Sequence, residues 1–309
     1  MTTTEVPITL AQHEQLDPVS PLSVLMSLQT IRRHCIRSQS RADRSIEAFI
    51  ASFYGYRTST TKHDQPLTKD EREKMFKLAK GIRTKIEQYK PVPADIPPFI
   101  HNMVKLSMTS REHWDLERKR VEDEMEKIAL QLPVWEYWAR HVRGFGALGL
   151  AVLVAEAKDI GAYPGPGRLW RRYGLGFIDG TIQGAVPKGL SREERKEAWK
   201  KRRYKPERRS HVYAFIEDSM FRNQWRGDRD EDGKRCDKTG KPVVTPAHPL
   251  GPYGEIYGDR REWNLARGLT PKHADNDARR IMAKKFIRDL WVAWMEAEGL
   301  LLPAAEAAQ

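Results

Sequence analysis

The sequence predicts a mainly α-helical protein, in which a helical arm or coiled-coil pair leads into a helical domain built on a helix, a glycine hairpin and a second helix. Three observations carry this. Two segments, Pro21–Tyr56 and Thr109–Leu132, repeat apolar residues at three- and four-residue steps. Ala147–Ala157 is an almost unbroken apolar run, entered through Arg143-Gly144-Phe145-Gly146 and followed by the Pro164–Gly167 hinge. Leu67-Thr68-Lys69-Asp70-Glu71 reads as an N-cap with acidic first-turn residues, and Ser191 and Glu194 stand in capping-box spacing.

Taken in order, residues 1–20 read as a flexible arm. The helix that follows carries a seam of Leu28, Ile31, Cys35, Ser38, Ala42, Ile46, Phe49 and Phe53, with Arg32, Arg33, Arg37, Arg41 and Arg44 on its other faces, and stops at Gly55. A second helix opens at Thr68 and runs to about Tyr89. Pro91, Pro93, Pro97 and Pro98 break the chain, so a linker is expected over 91–98. A third helix, capped at Thr109 or Ser110, has its seam at Trp114, Val121, Met125, Ile128 and Leu132. These seams fit an intramolecular helix pair or a homo-oligomer interface. The domain organisation is therefore 21–132 for the helical region and 133–299 for the hairpin domain, with a turn-rich insertion at 227–257 and a tail at 300–309.

Within the hairpin domain, Trp135, Tyr137 and Trp138 read as core. The glycine-rich stretch after Leu175 reads as a loop or small hairpin, and Ser191–Tyr204 as a charged helix. His211–Trp225 is an amphipathic helix with Val212, Phe215, Ile216 and Met220 inside. A last helix, Ala274–Glu298, carries Ile281, Met282, Phe286, Leu290 and Trp294 on its inner face and closes the core against the hairpin helices.

Charge narrows the function class. The 309 residues include 54 Lys and Arg against 42 Asp and Glu, a net charge of +12, and the pI is about 9.6. Such an excess favours a polyanion, most simply nucleic acid, over an acidic small molecule, with an anionic membrane surface as the competitor. No run of about twenty apolar residues exists to cross a bilayer, and the start MTTTEVPITL lacks the basic-then-apolar order of a signal peptide. A soluble cytoplasmic protein with no membrane partner is expected. The two cysteines, Cys35 and Cys236, form neither a disulfide framework nor a zinc spacing.

The candidate site follows from that charge. In Lys200–Arg209, Lys200, Lys201, Arg202, Arg203, Lys205, Arg208 and Arg209 are basic and only Glu207 is acidic, with Trp199 and Tyr204 interleaved. Beside a glycine hairpin this run is the best phosphate-contact surface in the chain. Arg143, Arg168, Arg171 and Arg172 add charge, and the amides after Gly144 and Gly146 sit at a helix N-terminus where anions bind. No metal or cofactor is expected. Asp228, Asp230, Asp232 and Gly233 match the start of a calcium loop, but Thr239 stands where a bidentate glutamate is needed, so a polar turn is preferred.

These pieces together resemble one known family. VRGFGALGLAVLVAEAKDIGAYPGPGRLWRRYGL is similar to the helix-hairpin-helix of the insertion-sequence transposases of the one-ten group. Gly144, Gly146, Ala155, Glu156, Ile160, Tyr163, Leu169, Tyr173, Gly174 and Leu175 stand in the matching places. The arginine-rich helix ending near Tyr56 resembles that family's connecting coiled coil, and the helix over Ala278–Trp294 resembles its C-terminal helix. The resemblance implies DNA as partner, with structured RNA as the alternative because that family works with a guide RNA. It also implies a ribonuclease-H-like domain with an acidic magnesium site, which this sequence does not match, and a nucleophilic serine after the Gly-Leu. Here the nearest hydroxyl is Thr181, and Lys205-Pro206-Glu207-Arg208-Arg209-Ser210 replaces the family's Lys/Arg-Gly entry to the next helix. The expectation is DNA binding, mostly through the duplex backbone, without strand cleavage by this chain. The rivals are a recombinase subunit using Thr181 with a separate magnesium domain, and a plain helical interaction module.

Overall fold

A computed structural model describes residues 20–55, 68–187 and 189–300. The arm expected over 1–20, apart from Ser20, and the tail beyond Leu300 lie outside them. The described chain is mainly helical and forms two compact units, one spanning Thr30–Asp123 and the other taking in the flanking residues through Gln29 and from Glu124. No described helix is long and apolar enough to cross a membrane.

The Thr30–Asp123 unit is made from α1 (Pro21–Phe53), α2 (Lys69–Glu87) and α3 (Pro98–Leu130). Thr68 caps α2 as predicted: its hydroxyl accepts from the Glu71 amide, and the Glu71 carboxylate accepts from the Thr68 amide. Ile46, Ile50 and Ala51 of α1 bury against Ala79, Ile82 and Ile86 of α2 and against Ile96, Ile100 and Val104. The proline stretch is thus partly core, since Ile96 is buried within it. α3 begins on Pro98, where the fixed φ of proline favours a helix start. This corrects the cap expected at Thr109 or Ser110: both hydroxyls lie mid-helix and donate to the carbonyls of Lys105 and Leu106.

The α1 seam is also rotated from the one predicted. Leu25, Gln29, Arg32, Cys35, Gln39, Ile46 and Ile50 are buried, whereas Ile31, Phe49 and Phe53 are exposed. Three of these buried positions are polar, and partners on α3 explain the two in this unit: Arg32 Nε donates to Glu122 at 2.7 Å, and Gln39 donates to Asp115. A seam that buries charge in pairs cannot be found by counting apolar residues. On α2, Arg83 meets Glu47 at 3.0 Å, Asp43 at 3.4 Å and Glu87 at 2.6 Å.

The second unit is organised around α5 (Ala147–Ala157), whose residues from Gly149 to Ala157 are all buried. A helix that is apolar on every face is a central one. Other helices of this unit are α4 (Pro133–Tyr137), α6 (Pro166–Arg172), α7 (Arg192–Lys201), α8 (Pro206–Val212), α11 (Pro252–Ala266) and α12 (Pro271–Ala297). α8 continues without a break through a π-helical stretch, Tyr213–Met220, into α9 (Phe221–Gln224). On α12, Phe286 packs against Trp138, Phe145 and Tyr253. Indole donors hold the stretch between α5 and the end of α6 onto α12: Trp170 Nε1 donates to the Lys284 carbonyl, and Trp291 Nε1 to the Tyr163 carbonyl, both at 2.9 Å. The expected closure by the last helix is therefore present.

Two small antiparallel hairpins complete the unit. β1 (Phe177–Ile178) pairs with β2 (Thr181–Ile182) across Asp179-Gly180, both at positive φ, the Asp-Gly two-residue turn. β3 (Trp225–Arg226) pairs with β4 (His248–Pro249), enclosing a stretch of turns with the short helix α10 (Cys236–Thr239). Asp230 Oδ1 accepts from the amides of Asp232 and Lys234, the work of a polar turn. The insertion expected to reach 257 ends earlier, because α11 starts at Pro252 and buries Tyr253 and Tyr257.

Candidate nucleic-acid interface

The chain forms a basic groove at the junction of α7 and α8. Ser191 starts α7 with its hydroxyl accepting from the Glu194 amide while the Glu194 carboxylate accepts from the Ser191 amide. That start fixes the helical phase, so Lys196 and Lys200, four residues apart, fall on one face of α7, and Arg203 follows just past the helix end. α7 closes through Arg203, whose φ of 51° is left-handed, with the Tyr204 amide donating to Trp199 O at 2.8 Å. The chain then turns through Lys205 into Pro206, the first residue of α8. The resulting cavity of about 530 Å³ is lined by Lys196, Lys200, Arg203 and Lys205, by Arg172 from α6 and Arg208 from α8, and by Trp199 and Tyr204.

The aromatic pair is held in place rather than left loose. Trp199 Nε1 donates to Gly184 O at 3.1 Å, and the Trp199 and Tyr204 ring centroids lie 5.6 Å apart. Tyr204 needs two glycines: a Cβ at Gly174 or at Gly184 would come within 2.7 Å of its ring. Gly174 also takes φ +74°, so both steric reasons favour glycine at the end of α6. Burial raises the Tyr204 phenol, against a lowering by Arg209, and keeps it a donor.

Beneath the groove lies a buried ionic cluster. Glu156, near the C-terminal end of α5, is 1% exposed. Its carboxylate receives Gln29 Nε2 at 2.8 Å, His211 Nε2 at 3.4 Å and Arg208 Nε at 3.5 Å, and Arg172 Nε donates to its carbonyl at 2.7 Å. Arg172 and Arg208 thus line the groove while being anchored from below.

Of the residues singled out in the sequence, the structure gathers Arg172, Lys200, Arg203, Lys205 and Arg208 around this cavity. Others in the same run go elsewhere. Arg202 turns onto the β1–β2 hairpin, donating to Ile178 O at 2.7 Å and to Ala185 O and Thr181 Oγ1. Arg209 donates to buried Glu217 at 2.8 Å. Lys201, Arg168 and Arg171 are exposed but do not line the cavity. Lys196 was missed, although its spacing four before Lys200 marks it.

The glycine turn has a different setting. Gly144 has φ +80°, and a Cβ there would lie 2.4 Å from Asn223 Cβ; Gly146 is the N-cap of α5 at φ −102° with open space around it. Arg143 O accepts from Gln224 Nε2 at 2.7 Å, and Arg143 Nη1 donates to Leu250 O at 3.1 Å. The first-turn amides of α5 have no intrahelical acceptor, yet Ala147 and Leu148 are half-buried and Gly149 is buried. Packing against α9 accounts for Gly144, and the turn contributes an exposed arginine and glycine backbone.

The Thr181 hydroxyl donates to Ile178 O at 3.0 Å and accepts from Arg202. Among the described residues no group of three or more His, Cys, Asp and Glu is arranged to hold a metal ion. Comparisons with protein-family models, with curated proteins and with solved structures found no match.

Proposed function

We propose that this chain binds double-stranded DNA through its phosphates at the α7–α8 groove, and that it derives from the C-terminal half of a transposase of the insertion-sequence one-ten group. In this reading α5, the turn at 158–165 and α6 are that family's helix-hairpin-helix, and the paired stretches of α1 and α3 are its coiled coil. The observation that supports it best is the gathering of Lys196 and Lys200, from one face of α7, with Arg203, Arg172 and Lys205 around Trp199 and Tyr204 in one cavity. Cations spaced along a helix face suit successive phosphates, and such contacts position without reading sequence.

Strand cleavage by this chain is not part of the proposal. The Thr181 proton is already committed to Ile178 O and its oxygen to Arg202, so attack would first require that hairpin to open.

The test is anisotropy with a labelled duplex of random sequence, titrated from low to moderate salt, alongside the Lys196→Glu/Lys200→Glu/Arg203→Glu variant. The native chain is expected to lose affinity by orders of magnitude over that range, and the variant to lower the logarithmic salt slope by about 2–3. An unchanged slope sinks the proposal. Tighter binding of a folded RNA under the same salt conditions would transfer the groove to RNA.

A further inference from the structure

A second charged cavity, of about 800 Å³, lies where α9 and β3 meet α11, the start of α12 and the turns after β3. The α8–α9 rod runs from the first groove to this one, so by helical rise the two are roughly 20–25 Å apart. Its wall is aromatic. Tyr257 packs edge-on between Phe221 and Trp225, at centroid distances of 4.6 and 4.9 Å. Gly258 makes room for Trp225, because a Cβ there would lie 2.9 Å from the indole. The Arg279 guanidinium covers the Phe221 ring at 3.9 Å.

The acidic residues of the cavity are already engaged. Asp218 takes Arg222 at 2.7 Å and 2.8 Å, Asp237 takes Arg235 at 3.0 Å through both oxygens, and Asp275 takes Arg279 at 3.0 Å and the Tyr257 hydroxyl. Asp228 Oδ1 accepts the Ala247 amide at 2.8 Å. Arg261 and Lys272 line the same cavity and carry no ion pair among the described residues. The space therefore offers an aromatic wall on one side and two uncommitted cations on another. Its size falls within the ~300–1,000 Å³ range of small-ligand sites, well beyond what one phosphate fills.

We propose that this cavity binds a nucleoside phosphate, the base stacked against Trp225 and the phosphate held by Arg261 and Lys272. The chemistry is shared by a free nucleotide and by an unpaired nucleotide of a strand. Only the second source rests on the nucleic-acid reading above.

The full chain is titrated by calorimetry with a deoxynucleoside 5′-monophosphate, with a six-residue 5′-phosphorylated oligothymidylate and with inorganic phosphate. Arg261→Ala/Lys272→Ala is expected to weaken the nucleotide probes by about tenfold or more, because each cation-to-phosphate contact is charge-assisted. Its thermal melt should match the native chain, since neither residue has an ion pair to lose. Trp225→Leu should cost about tenfold, the worth of one stacked base. Lys200→Glu/Arg203→Glu should leave these affinities within about twofold while weakening duplex binding and lowering its salt slope, which separates this site from the α7–α8 groove. Comparable affinity for the monophosphate and the hexamer identifies a free nucleotide as ligand; a much tighter hexamer identifies a strand. Three results overturn the proposal: no nucleotide binding, unchanged affinity in Arg261→Ala/Lys272→Ala, or inorganic phosphate binding as tightly as the nucleotides.

Discussion

Arg208, in the first turn of α8, places its Nε 3.5 Å from Oε2 of Glu156, a carboxylate 1% exposed. The negative charge sits in the last turn of α5, where the helix dipole opposes it. It persists there because Arg208, His211 and Gln29 converge on it. Removing the carboxylate would leave Arg208 buried without that counter-charge. Glu156→Ala should therefore lose about 3–5 kcal/mol of stability, and Glu156→Gln, which keeps an acceptor for Gln29, about 1–3 kcal/mol. Urea unfolding checks both, and a native-like midpoint for the alanine variant would refute the anchoring role.

Arg203 separates binding from folding. Its φ of 51° is one that arginine adopts at a cost and glycine does not. If the residue is kept for its charge, Arg203→Gly should leave stability unchanged or raise it by up to about 1 kcal/mol, while weakening duplex DNA binding several-fold. A variant that binds as well as the native chain would show that the strained residue serves only the turn.

The glycine turn before α5 makes an asymmetric prediction. Gly144→Ala forces a Cβ into the Asn223 side chain at a left-handed φ and should cost more than about 2 kcal/mol. Gly146→Ala meets open space at an ordinary φ and should cost about 1 kcal/mol or less, the loss of a favourable N-cap. Thermal melts of the two variants decide this, and equal shifts would contradict it.

What the sequence revealed was local, and what it hid was tertiary. Thr68 with Glu71 and Ser191 with Glu194 lie three residues apart, so each cap carries its own partner and both helix starts were readable. The start of α11 was hidden inside the turn-rich stretch 227–257, where Gly254 counts toward turns, and Gly258 follows directly after it. Their cause lies elsewhere in the chain: a Cβ at Gly254 would lie 1.8 Å from Gln224 O, and one at Gly258 would meet Trp225. The basic run Lys200–Arg209 was visible as composition, yet Arg202 and Arg209 end on a hairpin backbone and a buried glutamate. Such destinations depend on residues that the local pattern does not contain. Lys196 and the polar seam of α1 were missed for opposite reasons: the first needed only helical spacing, the second needed α3.

Asp277 ties α11 to α12 and makes their packing sensitive to acid. Its carboxylate accepts from Arg260 Nε at 2.7 Å, Asn264 Nδ2 at 3.0 Å and Arg280 Nη2 at 2.6 Å. Burial alone would raise its pKa, but the hydrogen bonds from Arg280, Asn264 and Arg260 bring it down to about 2. A carboxylate depressed in the folded state contributes stability that is present above its unfolded pKa of about 3.9 and lost as pH falls toward the folded value. Asp277→Asn lacks that charge at every pH. It should be less stable than the native chain by about 1–2 kcal/mol at pH 6, after allowance for solvent screening, and the gap should narrow steadily from pH 4 downward. Urea midpoints of the two proteins at pH 6, 4 and 3 measure it; a gap that stays constant across the series would show that the ionised carboxylate contributes nothing to holding α11 on α12.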